Sequence, residues 1–416
     1  MYITFRKCLL LLFLCLAKLL QAQETPSVVE GAIAKKIDEY LQRATAFGFS
    51  GQILIEKKGK VIIHKSYGWA DRKQEKKVSN KTIFEIASIT KLFTAAAILK
   101  LEMEGKLKTS DKISQHLSNV PSDKANITIH HLLVHSSGLP GGDIVGDFAK
   151  ISKKALVQKI LRQKLNRPIA KSWQYSNAGY NLLAAIIEKC AQTTYRQYLK
   201  KALFIPAGMN NTGIAGTNDL QGKNVAHAYR GILDNGQPNK LPYNPRSWGG
   251  GFICSTVSDL YKWEQALRVY KVLDKKTTQK YFNKQIKLGK TPDYYGYGWF
   301  VYKSRRKTQV IEHGGDTQIG FNGAFERYPD DETTFLLLSN NFTLDRMWIR
   351  WAIQGDVNRL TFGGKARHTP SKVQPSQDWS EYHGNYQLAT KLRCIPKPSN
   401  SSLNRLDKAQ SIYFGK

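Results

Sequence analysis

The chain has 416 residues, more than one ordinary domain needs, and its 41% hydrophobic content is ample for a large core. Its formal net charge of +31 at pH 7 is strongly basic, a property that by itself suggests nucleic-acid binding. The basic residues are spread along the chain, so we expect no nucleic-acid partner. Two explanations of the charge remain open: attraction to an anionic envelope or cell-wall surface, and a solvated surface that needs no partner.

Residues 1–22 are predicted to be a secretory signal peptide. A basic pair precedes an apolar stretch from Leu9 to Ala17, and Ala22 is a candidate cleavage position. The stretch is short for a membrane span, which favours cleavage. A signal anchor is the competing interpretation, because Leu20 is large for its position before the cut. We therefore expect a periplasmic or secreted protein, a location that also argues against a nucleic-acid partner.

The next predicted elements are a helix and two strands. Ser27 and Glu30 have the spacing of a capping box at the start of the helix, whose apolar residues share one face. Two β-type runs follow, Gln52–Glu56 and Val61–Tyr67, joined by a basic turn. The predicted apolar face of the helix consists of Ile33, Ile37, Tyr40, Leu41 and Ala44.

Ser88-Ile-Thr-Lys91 begins a second predicted helix, which extends to Glu104. At this spacing the hydroxyl and the amine lie on one face about a turn apart, so the amine can reach the hydroxyl proton. Backbone amides at a helix start create positive potential, which favours an oxyanion and disfavours a charged ammonium nearby. A neutral Lys91 would activate Ser88 as a nucleophile, although a helix cap and a solvated lysine have the same spacing.

Tyr175-Ser176-Asn177 precedes an apolar run that we predict to be a helix. A phenol carries protons usefully only where neighbouring cations lower its pKa, and an adjacent amide can hold a substrate carbonyl. Taken alone, the segment is a polar loop before a helix.

His313-Gly314-Gly315-Asp316 follows a short β-type run and precedes another. Glycines at a strand end allow a substrate backbone to approach the sheet edge, although a Gly-Gly pair is more often a turn. Around this motif the chain is predicted to form successive strands and a closing helix, whereas residues 84 to about 290 are mostly helical. The predicted strands are Gly298–Tyr302, Thr308–Glu312, Phe321–Tyr328 and Thr333–Leu338, and the helix is Leu344–Leu360.

The fold class predicted from this pattern is α+β. Strands from both ends of the chain form an antiparallel sheet, a mainly helical domain is inserted between them, and the active site lies at the junction. We place this domain at residues 23–364 and a linker with a short C-terminal segment at 365–416, for which truncation remains open.

In this order, the three motifs resemble the serine β-lactamase and penicillin-binding superfamily, most closely its class C branch with D-alanyl-D-alanine carboxypeptidases, D-aminopeptidases and esterases. The pattern is Ser-x-x-Lys, Tyr-x-Asn and Lys/His-x-Gly, found here at 88–91, 175–177 and 313–315. Connecting stretches at 51–55, 131–140, 249–255 and 295–300 are also similar.

The resemblance implies a role for each motif residue. Ser88 would be the acylated nucleophile, with Lys91 and Tyr175 as its general-base system, and which of these two takes the proton stays open. Asn177 would hold the scissile carbonyl. The backbone amides of Ser88 and Asp316 would form the oxyanion hole. The remaining substrate-binding positions would be His313, Gly314 and Gly315, with histidine standing where other members have lysine.

Two positions depart from the family pattern in a way that bears on the substrate. Class C β-lactamases and D,D-peptidases usually present hydroxyls near 314 and 316 to bind a carboxylate, whereas this chain has Gly314 and Asp316. An inward-pointing Asp316 would repel a carboxylate, whereas an Asp316 that points away from the site would leave another residue to bind it. We therefore expect a secreted peptidase, D-amino-acid amidase or esterase acting on a small molecule or peptide. The alternatives are a β-lactamase or D,D-carboxypeptidase, and a non-catalytic binding or sensor domain.

Neither a metal nor another cofactor is expected. Cys8 and Cys15 fall in the predicted signal, which leaves Cys190, Cys254 and Cys394 without disulfide or metal-ligand spacing. Cys190 is expected to be a small buried apolar residue.

Overall fold

A computed structural model describes residues 26–142, 144–145, 150–240, 245, 248–342 and 348–367, with side chains omitted at 348–352. The predicted signal peptide at 1–22 and the segment beyond residue 367 lie outside the described residues, so both stay predictions. Within the described ranges, no helix combines the length and the apolar character that crossing a bilayer requires.

A nine-stranded antiparallel sheet organises the fold. Strands from the two ends of the chain meet at its centre, where Gly51 pairs with Ser339 and Lys57 with Thr333. The α+β prediction, with N- and C-terminal strands in one sheet, is confirmed. In spatial order the strands are β1 (Val28–Val29), β3 (Lys60–Tyr67), β2 (Gly51–Lys57), β16 (Thr333–Ser339), β15 (Asn322–Tyr328), β14 (Gln309–Asp316), β13 (Phe300–Lys303), β12 (Tyr294–Tyr295) and β11 (Ile286–Lys287).

One face of the sheet is covered by the two terminal helices, α1 (Gly31–Thr45) and α10 (Trp348–Thr361). The predicted apolar face of α1 is confirmed for Ile37, Tyr40, Leu41 and Ala44, which are buried there, while Ile33 is partly buried. The capping-box prediction is wrong. Glu30 is the N-cap and its side chain makes no capping bond, because Val28–Val29 is extended and pairs with β3.

The other face carries the helices of the inserted region and the larger core. Its central helix, α2, is buried on nearly every side, as expected for a helix inside a large core. The helices are α2 (Thr90–Met103), α3 (Ile129–Leu133), α4 (Lys153–Leu161), α5 (Asn177–Ala191), α6 (Tyr195–Leu199), α7 (Ile205–Ala207), α8 (Val257–Arg268) and α9 (Lys275–Phe282).

Three small sheets are also present among the described residues. They consist of β6 (Phe84–Glu85), β10 (Ile253–Ser255) and β7 (Gly213–Ile214); of β17 (Asn341–Phe342), β8 (Tyr229–Arg230) and β9 (Leu233–Asp234); and of β4 (Trp69–Asp71) with β5 (Lys76–Lys77). Cys254 is buried in β10, whereas Cys190 is only partly buried and its Sγ lies 3.3 Å from Nδ1 of His116, so it is not the plain apolar residue that we expected.

Candidate active site

Ser88 lies in a short 3₁₀ turn, Ala87–Ile89, that leads directly into α2. Its side chain is partly exposed, while both neighbours in the turn are buried. Ala87 has a φ of +47°, a left-handed backbone conformation that costs a non-glycine residue roughly 1–2 kcal/mol. Such local strain persists only where the surrounding structure fixes it, and it is frequent next to functional groups.

Gly315 of β14 packs directly against the backbone of the Ser88 turn. A Cβ at this position would lie 2.3 Å from the carbonyl oxygen of Ile86 and 2.9 Å from the backbone nitrogen of Ser88. Only glycine therefore allows β14 to pack against the Ser88 turn. The strand continues through the whole motif to Asp316, whose side chain is exposed, rather than ending before the glycines as we predicted.

Lys91 is fully buried one turn after Ser88. Its Nζ lies 3.2 Å from Oγ of Ser88 and donates to the carbonyl of Gly250 at 2.9 Å. The same nitrogen lies 4.7 Å from the ring centroid of Tyr175. The structure therefore brings together the hydroxyl, amine and phenol that the sequence separates by 87 positions.

Hydrogen bonds with side chains on two successive turns of α2 fix the segment 249–253 against that helix. Thr94 donates to the carbonyl of Gly249 at 2.6 Å, and the backbone nitrogen of Ile253 donates to Oγ1 of Thr90 at 3.2 Å. These bonds fix the Gly250 carbonyl that accepts from Lys91. A Cβ at Gly250 would lie 3.0 Å from Nζ of Lys91, a tight contact that would require the lysine side chain to shift by a few tenths of an ångström.

Asn177 is the first residue of α5, and Ser176 caps that helix. The Oγ of Ser176 accepts from the backbone nitrogen of Gly179 at 3.2 Å and donates to the carbonyl of Pro140 at 2.8 Å. A Cβ added at Gly250 would lie 3.4 Å from Oδ1 of Asn177 and also close to Nζ of Lys91. The second motif therefore places its amide beside the lysine.

His313 is buried on the aromatic side of the site, next to Tyr175. Its side chain is 1% exposed and lies among the rings of Tyr175, Tyr295 and Phe300. Nδ1 lies 2.6 Å from the carbonyl of Gly314, so this nitrogen carries the proton and donates. A ring buried in this way supports the aromatic cluster and does not open toward solvent.

His135 is a neighbour of Tyr175 that the motif analysis did not select. It is buried, and its ring centroid lies 4.5 Å from that of Tyr175. Burial holds the pKa of His135 well below its usual value, and the nearby charges of Lys91 and His313 lower the pKa further. A neutral imidazole therefore lies beside the candidate lysine.

The motif residues do not all converge to the same degree. Ser88, Lys91, Tyr175, Asn177 and Gly315 lie together, His313 is buried among aromatic rings that include Tyr175, and Asp316 is exposed at the strand end. Sequence reasoning missed Gly250, Thr94 and His135 as members of the site. The run Gly249-Gly250-Gly251 was a usable signal of close backbone approach, and His135 lies in the stretch 131–140 that is similar to the family, whereas Thr94 carried no signal. Over the described residues, no cluster of ligating side chains suited to a metal ion is present.

Comparison with known proteins gives a consistent result. The family model described as Beta-lactamase matches residues 33–355. Penicillin-binding protein 4* of Bacillus subtilis (strain 168) is 32% identical over 314 residues, which cover 70% of this chain and 68% of that protein.

Two solved structures are similar in fold. The octameric penicillin-binding protein homologue from Pyrococcus abyssi has a TM-score of 0.69 at 24% identity, covering 80% of this chain and 78% of that chain. The D-amino acid amidase from Ochrobactrum anthropi SV3 has a TM-score of 0.65 at 21% identity, covering 80% and 98% respectively. At these identities, the two structures show that the serine β-lactamase fold is shared.

Proposed function

The chain belongs to the beta-lactamase family, and from this premise we propose that it is a serine hydrolase that forms an acyl-enzyme on Ser88. The observation that carries the proposal is the 3.2 Å separation between Oγ of Ser88 and Nζ of Lys91, in a site where Lys91 is fully buried. A nucleophile and a base within hydrogen-bonding reach, with the base fixed by a third group, are the signature of covalent catalysis. Here that third group is the carbonyl of Gly250.

In the proposed mechanism, Lys91 and Tyr175 form the proton-transfer unit. As Ser88 attacks the scissile carbonyl, its proton passes to this unit and then to the leaving group; a water molecule is activated in the same way for deacylation. The charge that develops on the carbonyl oxygen is stabilised by the backbone amides of Ser88 and Asp316. The contact between Gly315 and the Ser88 turn supports this pairing, because it brings the end of β14 against the nucleophile.

The proposed substrate is an amide or ester of the kind cleaved by peptidases, D-amino-acid amidases or esterases. Asp316 is exposed at the end of β14, beside the proposed oxyanion hole. A carboxylate there disfavours an anionic acyl donor and favours a neutral or amine-bearing one. The predicted signal and the net charge of +31 support a periplasmic or secreted location and attraction to an anionic envelope surface.

A panel of acyl donors tests this proposal. A neutral ester, a D-amino-acid amide, a D-alanyl-D-alanine peptide and a penicillin are each incubated with the protein, and a Ser88→Ala variant serves as the blank. We expect kcat/KM to be highest for the ester or the amine-bearing amide. Faster cleavage of penicillin or of the D-alanyl-D-alanine peptide would instead identify a β-lactamase or D,D-carboxypeptidase. Binding without acylation of any donor would identify a non-catalytic domain.

A further inference from the structure

We infer that His135 is a positioning residue that fixes the orientation of Tyr175 for proton transfer. The inference rests on the proposed function, because it assigns Tyr175 to the proton-transfer unit. It goes beyond the three motifs, since His135 belongs to none of them and is separated from Tyr175 by 40 positions in the sequence.

His135 bonds to both residues that flank Tyr175. The backbone nitrogen of Gln174 donates to the backbone carbonyl of His135 at 2.8 Å. The backbone nitrogen of Ser176 donates to the ring Nδ1 of His135 at 3.1 Å. The ring centroids of His135 and Tyr175 are 4.5 Å apart. His135 therefore fixes the backbone on both sides of Tyr175 by hydrogen bonds and contacts the tyrosine ring with its own ring.

The hydrogen bonds also determine the tautomer of His135. Nδ1 accepts from the Ser176 amide, so the proton of the neutral ring is on Nε2, which lies 3.2 Å from the hydroxyl of Tyr295 and donates to it. Tyr295 in turn hydrogen-bonds Tyr180, whose hydroxyl donates to the carbonyl of Leu133 at 2.9 Å. The imidazole is thus held by a buried chain of hydrogen bonds that ends on the backbone.

Protonation of His135 would break this arrangement. A proton on Nδ1 would replace the accepted bond from Ser176 by a clash of two donors, and it would add a positive charge close to Lys91. Burial and the charges of Lys91 and His313 oppose that protonation. His135 is therefore suited to orient Tyr175 and unsuited to exchange protons itself.

The backbone at His135 restricts which residues can replace it. Its φ of +58° lies in the left-handed region, which glycine and asparagine adopt more readily than other residues. The Oδ1 of asparagine is bonded to Cγ, as Nδ1 of histidine is, so asparagine can accept from the Ser176 amide. Glycine tolerates the same backbone conformation but offers no acceptor. His135→Asn and His135→Gly are thus a matched pair that differs in the hydrogen bond.

The experiment measures the acylation rate per active site. Active sites of the full chain and both variants are titrated with a fluorophosphonate, and single-turnover acylation by a neutral ester is then followed. We expect His135→Gly to be acylated about 30-fold or more slowly per titrated site than the wild type, with KM changed by less than about 3-fold, because the proton-transfer group is no longer oriented. His135→Asn should recover most of the wild-type rate. A purely structural role would lower the number of titratable sites and leave the rate per site unchanged.

The outcomes separate this inference from the proposed function. If the wild-type protein is not acylated, the proposed function fails and the inference fails with it. If the wild type is acylated but both variants match its rate per site, or both lose the same factor, the inference alone is overturned. Should His135→Gly not fold, Tyr295→Phe replaces it: removal of the hydroxyl that accepts from Nε2 is expected to slow acylation per site about 3- to 10-fold, and an unchanged rate would overturn the inference.

Discussion

The amine of Lys91 lies 4.7 Å from the ring centroid of Tyr175, although Lys91 belongs to α2, Tyr175 lies in the loop before α5, and the two are 84 positions apart in the sequence. Lys91 is fully buried and Tyr175 nearly so. Both side chains therefore face the same small volume beside Ser88, which is why we treat them as one proton-transfer unit.

The first prediction concerns this unit. Lys91→Met and Tyr175→Phe should each lower kcat for ester hydrolysis by about 10²- to 10⁴-fold, because each removes a group from the same proton transfer. The double variant should be little slower than the slower single variant, as is found for residues that act together. Steady-state kinetics on all four proteins checks this, and losses that multiply would show that the two residues act independently.

The second prediction concerns the contact between β14 and the nucleophile turn. Gly315→Ala places a methyl group 2.3 Å from a backbone carbonyl, so the strand or the turn must move. A displacement of about 1 Å at a reacting group can lower the rate about 10²-fold. Gly142→Ala is the matched control, because a Cβ there meets no atom within 4 Å. Equal activity of the two variants would show that the contact does not position Ser88.

The third prediction concerns substrate choice. If Asp316 disfavours anionic donors, removing its charge should raise the rate on penicillin- or cephalosporin-type substrates relative to a neutral ester. Like-charge placement in a partly desolvated site is worth about 1–3 kcal/mol, or about 5- to 150-fold in rate. Asp316→Asn removes only the charge, and Asp316→Ser also supplies the hydroxyl usual in the family. A rate ratio that stays constant in both variants would exclude Asp316 as the selector.

The fourth prediction concerns stability and pH. His64 is buried in β3, and its Nε2 lies 3.1 Å from Oγ of Ser258. Burial lowers the pKa of His64 to about 4, from an ordinary value of 6.5. Because the unfolded chain binds this proton more tightly, the contribution to stability is complete above pH 6.5 and is lost as pH falls toward 4.

Chemical denaturation of the wild type and of His64→Gln between pH 7 and pH 4 measures this contribution. Relative to the variant, the wild type should lose about 3 kcal/mol of unfolding free energy by pH 4. Other titrating groups are common to both proteins, so the difference isolates His64. A difference that is constant with pH would mean that His64 is protonated equally easily in both states.

The fold was predictable where local pattern and burial agree. The alternation and apolar content of β2, β3, β15 and β16 place these strands within a few residues of their observed bounds, because the sheet is covered by helices on both faces. The start of α1 was not predictable from its capping pattern. Pairing of Val28–Val29 with β3 is a long-range interaction, and it overrides the local preference of Ser27 and Glu30.

In the candidate site too, local contacts were predictable from the sequence and long-range contacts were not. Ser88 and Lys91 are local to one helix start, so their spacing alone predicted the observed contact. The bonds of His135 to Gln174 and Ser176, and of Lys91 to Gly250, join residues far apart in the chain. Side-chain types at these positions carry no information about such partners. The burial of His313 likewise depends on aromatic residues from three other segments.

The central claim is that Ser88 is the acylated nucleophile, and intact-mass measurement after treatment with a fluorophosphonate tests it most directly. We predict that the wild-type protein and Ser172→Ala, a control at a partly exposed serine near Tyr175, each gain the mass of one phosphonyl group, and that Ser88→Ala gains none while it unfolds at a similar temperature. A folded Ser88→Ala protein that still gains the phosphonyl mass would contradict the account, since another residue would then be the nucleophile.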